Sequence, residues 1–207
     1  RWNAWHEQYA DPASPLSQRL AVVVSRIQQA VDRVPPGPIR IISVCAGQGH
    51  DVVSALQGSP RAADVTGFLV EADGTNVAEA AAALRDARLT GIEAVCADAS
   101  ELDTYRDMPR ADVLLLCGIF GNVSDSDVQR TIEHASTLCA PGAFVVWTRH
   151  RRAPDLTPRI RGWFDAAGYD EVSFDSPGAD SFSVGMHRLR AEPAGPAPDV
   201  TLFRFIR

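Results

Sequence analysis

The stretch with the clearest chemical content is residues 39–51, IRIISVCAGQGHD, in which an apolar run gives way to small residues and two glycines. Consecutive strand formers without polar alternation predict a strand buried on both faces. Gly47 and Gly49 suit a tight strand-to-helix turn, because glycine tolerates unusual backbone angles and lets a ligand approach the main chain. The amides that open the next helix would point at that ligand with the helix dipole behind them. Such a turn is as often purely structural, and Val52 stands where a G-x-G-x-x-G fingerprint has its third glycine.

Two carboxylates follow the next two apolar runs. Glu71 comes directly after residues 65–70, and Asp98 follows a third short run within VCADAS. In doubly wound sheets a carboxylate at the end of the second strand accepts hydrogen bonds from the two hydroxyls of a ribose. A carboxylate after the third strand could accept a hydrogen bond from an adenine amino group. With the glycine turn, this spacing predicts an adenosine site.

These motifs give the chain a family resemblance. CAGQG, Glu71 and Asp98 resemble, in this order, the glycine loop and two acids of the class I (Rossmann-like) S-adenosylmethionine-dependent methyltransferases of small-molecule type. LCAPGAFVVWT (residues 138–148) looks like that family's helix end, Pro-Gly turn and fifth strand, so the resemblance covers residues 39 to about 190. It implies S-adenosyl-L-methionine as cofactor, held by Cys45, Ala46, Gly47, Gly49, Asp51, Glu71, Ala72, Asp98, Ala99 and Cys117.

The chain departs from the family pattern at the first loop. The family has an acid two positions before its first loop glycine, and here Ser43 and Cys45 occupy these two positions. Ser43 accepts a hydrogen bond but has no charge, and Cys45 has a Cβ that glycine lacks. Asp51, two residues after the loop, is the candidate substitute for contacting the ammonium group of the cofactor.

The tail of the fourth predicted strand, GIFGNV (residues 118–123), is the first candidate for the acceptor site. Asn122 could hold a polar group of the acceptor as a catalytic residue, while Phe120 could pack on a planar one. The alternative is a plain turn with a buried phenylalanine.

The tail of the fifth predicted strand, TRHRR (residues 148–152), is the second candidate. His150 is the best general-base candidate in the chain, since histidine titrates near neutral pH. Arg149 would suit a carboxylate or phosphate on the acceptor. The alternative is a solvated charge cluster at a strand end.

Aromatic residues recur at helical spacing before the first strand. Trp5, His6 and Tyr9 belong to this stripe, which either caps the core or forms a lid over the ligand. We therefore expect residues 1–38 to form an N-terminal helical cap or lid and residues 39–207 to form one Rossmann-like domain.

The elements that must position these residues alternate along the chain. The predicted class is α/β, with a doubly wound, mostly parallel seven-stranded sheet, helices on both faces, an antiparallel C-terminal edge and an N-terminal helical cap. After the first strand, further strands are predicted at 65–70, 91–95, 112–117, 143–148, 171–174, 183–189 and 201–206. Helices are predicted at 16–34, 51–57, 75–88, 126–138 and 158–167.

Composition excludes several function classes. The net charge of −6 without a basic run argues against nucleic acid as a partner. No 18-residue apolar stretch or signal-like segment occurs, so a cytoplasmic protein without membrane contact is expected. All 20 basic residues are arginine, which excludes lysine Schiff-base chemistry. The 4 cysteines form no close pairs, so no metal site is expected. The sequence leaves the oligomeric state open, with a homodimer as one alternative.

The function implied by the resemblance is in-line transfer of a methyl group from S-adenosyl-L-methionine to an O, N or C atom of a small-molecule acceptor. Three alternatives stay open. They are an enzyme that cyclises or cleaves the sulfonium without methylating, an NAD-dependent oxidoreductase, and a non-catalytic binder of adenosyl ligands.

Overall fold

Strands and helices alternate along the chain in the computed structural model, which describes residues 14–178 and 181–206. The strands are β1 (Ile39–Val44), β2 (Val65–Glu71), β3 (Ile92–Cys96), β4 (Ala111–Leu116), β5 (Cys139–His150), β6 (Tyr169–Asp175) and β7 (Phe182–Leu189). The α-helices are α1 (Pro15–Arg33), α2 (His50–Leu56), α3 (Gly74–Asp86), α4 (Asp125–Ala135) and α5 (Thr157–Ala166). Short 3₁₀ helices lie at Ala62–Asp64, Leu102–Tyr105 and Ser136–Leu138.

The strand order is β3-β2-β1-β4-β5-β7-β6. Neighbours from β3 to β5 pair in parallel, as expected for strands joined by helical crossovers. β7 is antiparallel to both β5 and β6 and lies between them, so six strands share one direction. The predicted fold class is confirmed. The order reverses between β1 and β4, and this is where open α/β sheets bind ligands.

Apolar residues cover both faces of the sheet. In β1, Ile39 and Ile41 pack with the helices α1, α2 and α3, whereas Ile42 and Val44 pack with α4 and α5. Their exposure is 0–1%. Burial on both faces explains why this strand lacks polar alternation in the sequence.

Helix α1 begins with a proline behind a serine cap. The Ser14 hydroxyl accepts a hydrogen bond from the Ser17 N–H at 3.1 Å, and Pro15 has the backbone angle that a first helical turn requires. The helix ends at Arg33, close to the boundary predicted from the following prolines. No helix in residues 14–178 or 181–206 is long and apolar enough to cross a membrane.

Gly185 of β7 makes room for the largest buried side chain. A Cβ at this position would lie 2.2 Å from the ring of Trp147 on β5. The Trp147 indole N–H donates to Nδ1 of His187 at 3.1 Å, so both polar groups are satisfied inside the core.

The prediction of a strand at 201–206 is wrong. This stretch makes two isolated bridges, from Thr201 to Glu101 and from Phe205 to Val123. The two partners follow different strands, β3 and β4, so residues 200–206 cross over loops and do not extend a sheet edge. We call these residues the 200–206 segment.

Candidate functional site

A cavity of about 750 Å³ opens at the carboxyl ends of β1 to β5, at the reversal of strand order. Ten residues predicted from the sequence line it: Cys45, Ala46, Gly47, Asp51, Glu71, Ala72, Asp98, Ala99, Cys117 and Asn122. Gly49, Phe120, Arg149 and His150 are not among its lining residues. Trp5, His6 and Tyr9 lie outside the described residues.

The loop after β1 has left-handed backbone at three positions. The φ angles are 54° at Cys45, 56° at Gly47 and 71° at Gly49. A Cβ on Gly49 would lie 2.7 Å from Cδ1 of Leu69, so this glycine serves the packing of α2 against β2 and does not form the cavity wall. Gly47 lines the cavity, where the missing side chain exposes the main chain to a ligand.

The Glu71 carboxylate at the end of β2 holds two loops together. Its Oε2 accepts from the Gly47 N–H at 2.8 Å, and its Oε1 accepts from the Asp73 N–H at 3.0 Å. Each carboxylate oxygen can accept a second hydrogen bond, and Glu71 also lines the cavity. The geometry therefore leaves two acceptor positions for a pair of hydroxyls.

The Asp98 carboxylate after β3 is fixed through one oxygen. Its Oδ1 accepts from the N–H of Ser100 at 2.9 Å and from the Ser100 hydroxyl at 2.7 Å. Its Oδ2 accepts no hydrogen bond from the described parts of the chain. Asp98 thus presents an oriented acceptor beside the cavity, as an adenine amino group would require.

Cys45 is a neutral thiol in a position that favours glycine. Burial raises its pKa, and the negative charges of Glu71 and Asp98 raise it further. Ser43, the other departure from the family pattern, is 2% exposed and lines the same cavity. Neither residue supplies a charge to the site.

Charge at the β1 end of the cavity comes from Asp51 and Arg19, both lining residues. Burial raises the pKa of the Asp51 carboxyl, while a hydrogen bond from the Val52 N–H at 2.8 Å and the positive charge of Arg19 oppose this shift. Arg19 is not among the residues predicted from the sequence. Its signal was an arginine within the apolar face of α1, between the buried residues Leu16 and Val23.

The loop after β4 is tied to β5. The Asn122 amide donates to the Gly118 carbonyl at 2.8 Å, and the Gly118 N–H donates to the Thr148 hydroxyl at 2.8 Å. Thr148 lines the cavity although it is only 2% exposed, and it was not predicted as a site residue.

Phe120, Arg149 and His150 contact one another or this loop outside the cavity wall. Phe120 is completely buried, and its carbonyl accepts a hydrogen bond from Arg149. The His150 ring lies against Gly121, where an added Cβ would come within 3.3 Å of Cδ2. Burial lowers the pKa of His150, and the charges of Arg149 and Arg152 lower it further.

The 200–206 segment forms a wall of the cavity that is not predicted from the sequence. Phe203, Arg204 and Phe205 line the cavity.

Three of the four cysteines, Cys45, Cys96 and Cys117, line the cavity as well. Within residues 14–178 and 181–206, no group of three or more histidine, cysteine or acidic side chains could hold a metal ion.

Comparison with known proteins gives structural relatives only. No family model and no curated protein matches the chain. An O-methyltransferase family protein from Burkholderia thailandensis aligns with a TM-score of 0.66 and 19% identity over 86% of this chain and 57% of that protein. Magnesium protoporphyrin IX methyltransferase from Synechocystis PCC 6803 with bound SAH (S-adenosylhomocysteine) aligns with a TM-score of 0.65 and 14% identity over 91% of this chain and 93% of its own.

A third structure, the CurJ carbon methyltransferase, aligns with a TM-score of 0.63 and 15% identity over 83% of this chain and 54% of that protein. The chain thus spans less than two thirds of the Burkholderia and CurJ proteins. At these identities the likeness concerns the fold. The chain has the fold of the class I, Rossmann-like S-adenosylmethionine-dependent methyltransferases.

Proposed function

We propose that the cavity binds S-adenosyl-L-methionine and that the protein transfers its methyl group to a small-molecule acceptor. One observation carries the proposal. The glycine loop, Glu71 and Asp98 line a single cavity at the reversal of strand order, in the arrangement that an adenosine requires. The methyltransferase names of the three compared structures support it.

The lining residues fit the parts of this cofactor. Glu71 would accept from the two ribose hydroxyls, and the Oδ2 of Asp98 from the adenine amino group. At the β1 end, Asp51 would face the ammonium and Arg19 the carboxylate of the methionine part. Binding an ammonium there would favour the charged form of Asp51, against the effect of its burial.

The bound cofactor would supply an electrophilic methyl group on its sulfonium. The protein then has to orient an acceptor in line with that methyl group and exclude water. Asn122 and Thr148 line the cavity at the β4 and β5 ends and would form its acceptor side. His150 lies against Gly121, outside the cavity wall, and would act as general base for an acceptor that reaches past Gly121.

Product analysis tests the reaction type. The protein is incubated with S-adenosyl-L-methionine and a panel of small hydroxyl, amine and enol acceptors, and products are identified by mass spectrometry. We expect SAH together with an acceptor that has gained one methyl group, and less of both products with Glu71→Gln when the cofactor concentration is limiting. Methylthioadenosine in place of SAH would instead establish cleavage or cyclisation of the sulfonium and refute methyl transfer.

A further inference from the structure

The 200–206 segment runs from the β3 side of the cavity to the β4 side. The Leu202 N–H donates to the Ser100 carbonyl at 2.7 Å, and the Ile206 N–H donates to the Asn122 carbonyl at 2.8 Å. β3 and β4 are separated by β2 and β1, so these two anchors belong to strand ends about 15 Å apart at the usual strand spacing. Phe205 forms a bridge with Val123, and the Arg204 N–H donates to Asp127 on α4, so the main chain of both residues contacts elements that follow β4.

Side chains from elsewhere in the fold fix the segment in this position. The Thr201 hydroxyl donates to Oε1 of Glu101 at 2.9 Å. Oδ2 of Asp127, on α4, accepts from the Arg204 N–H at 3.0 Å, while its Oδ1 accepts from Arg130 at 2.7 Å. The Arg204 main chain is thus held by a carboxylate whose charge is already paired with another arginine.

Phe205 offers apolar surface to the cavity. It is 47% exposed. Within the described parts of the chain, Phe205 and Ile206 are the exposed large apolar side chains. Its ring meets the buried ring of Phe203 edge-to-face, with centroids 5.4 Å apart. A ring held in this way and open to a cavity is suited to packing against a planar group.

Arg204 offers a positive charge to the same cavity. Its side chain is exposed, lines the cavity, and makes no ion pair or hydrogen bond with residues 14–178 or 181–206. In the proposed binding mode the cofactor carboxylate lies at the opposite end, beside Arg19. An acidic group that pairs with Arg204 would therefore belong to the acceptor.

We propose that Arg204 and Phe205 form the acceptor subsite, and that the acceptor is an aromatic molecule with a carboxylate group. The aromatic ring packs on Phe205, and the carboxylate binds the Arg204 guanidinium. This inference rests on the proposed function, because it assigns the β1 to β3 end of the cavity to the cofactor.

The test is a titration of the SAH-loaded protein, followed by calorimetry. The probes are benzoate, 2-naphthoate and indole-3-acetate, each paired with its own primary amide, which has the same shape without the charge. We expect at least one acid to bind more tightly than its amide. Arg204→Gln should weaken the binding of that acid roughly tenfold or more, since one charged hydrogen-bonded pair is lost. It should leave the affinity for the amide unchanged. Arg85→Gln, which changes an exposed arginine on α3 outside the cavity, is the matched control.

Phe205→Ala distinguishes the acceptor from the cofactor. We expect this variant to bind the acid and its amide more weakly by the same factor, while its affinity for SAH stays at the wild-type value. The inference is overturned if no acid binds better than its amide, or if Phe205→Ala mainly weakens SAH, because the ring would then cover the adenine. If SAH fails to bind the wild-type protein, the proposed function fails, whereas the acid and amide pairs still test the subsite in the ligand-free protein.

Discussion

The backbone N–H of Gly47 donates a hydrogen bond of 2.8 Å to Oε2 of Glu71, so the loop after β1 is held by the carboxylate that ends β2. Two parts of the proposed adenosine site thus fix each other before any ligand binds. A site whose polar groups are already oriented loses less free energy to ordering when the ligand arrives.

Replacing Glu71 with glutamine should weaken cofactor binding, although the two side chains have nearly the same size. Both carboxylate oxygens face backbone N–H donors, from Gly47 and Asp73, so the amide NH₂ must point at one of these donors. We expect affinity for SAH to fall about 10- to 100-fold, the scale of lost charged hydrogen bonds. Calorimetry measures this, with Glu79→Gln on the exposed face of α3 as the matched control. Equal affinity in Glu71→Gln and wild type would remove Glu71 from the site.

At position 45, glycine should give a more stable protein than alanine, which reverses the usual order of stability. Its φ of 54° lies in the left-handed region, where a Cβ costs about 1 kcal/mol. We expect Cys45→Gly to have a higher free energy of unfolding than Cys45→Ala. Urea denaturation of both variants checks the order. Cys139, with φ −98°, is the control position, and there alanine should be the more stable. The same order at both cysteines would contradict the backbone angle assigned to Cys45.

His187 should make the folded protein sensitive to acid. Burial between Trp147 and Phe164 lowers its pKa from 6.5 to about 4, and the nearby Glu171 carboxylate only partly opposes this. Between these pH values the unfolded chain binds a proton that the folded chain does not. The contribution of His187 to stability is therefore complete above pH 6.5 and falls as the pH decreases to 4, by about 3 kcal/mol in total.

Urea denaturation at pH 7, 5.5 and 4 measures this effect. The free energy of unfolding should decline more steeply with acid in the wild type than in His187→Gln, in which the side chain does not titrate. Parallel curves for the two proteins would show that His187 is not the source.

The position of the His150 ring argues against the general-base role that the sequence suggests for it. Because the ring lies against Gly121 and is not part of the cavity wall, we expect His150→Ala to lower turnover less than about tenfold. Steady-state kinetics from pH 6 to 9 check this once an acceptor is known. A loss of about 100-fold with unchanged SAH affinity would establish the general-base role instead.

The sequence predicted the features that are local in the chain. The apolar run of β1, the glycines behind it and the acid that ends β2 are each legible within a few residues, because a buried parallel strand and its turn have a distinct composition. The positions of Glu71 and Asp98 beside the cavity could be predicted for the same reason, since Glu71 ends its strand and Asp98 follows closely after the next one.

Features set by distant partners could not be predicted in this way. The Thr201 hydroxyl is hydrogen-bonded to Glu101, 100 positions earlier in the chain. The sequence near the 200–206 segment therefore does not indicate that this segment forms a wall of the cavity. The direction of a side chain at a strand tail is equally non-local. For Phe120 the sequence leaves two alternatives open, contact with a planar acceptor and burial in a turn. In the fold the Phe120 ring is buried and packs on Trp147 of β5 at a centroid distance of 6.1 Å.

Binding calorimetry of the wild-type protein tests the central claim, an adenosyl site in the cavity at the β1 to β3 ends. Titrations with SAH, its inosine analogue and NAD are carried out side by side. We predict saturable binding of one SAH per chain, weaker binding of the inosine analogue because Asp98 has no amino group to accept from, and no binding of NAD. Tight binding of NAD, or no heat with SAH, would contradict the account.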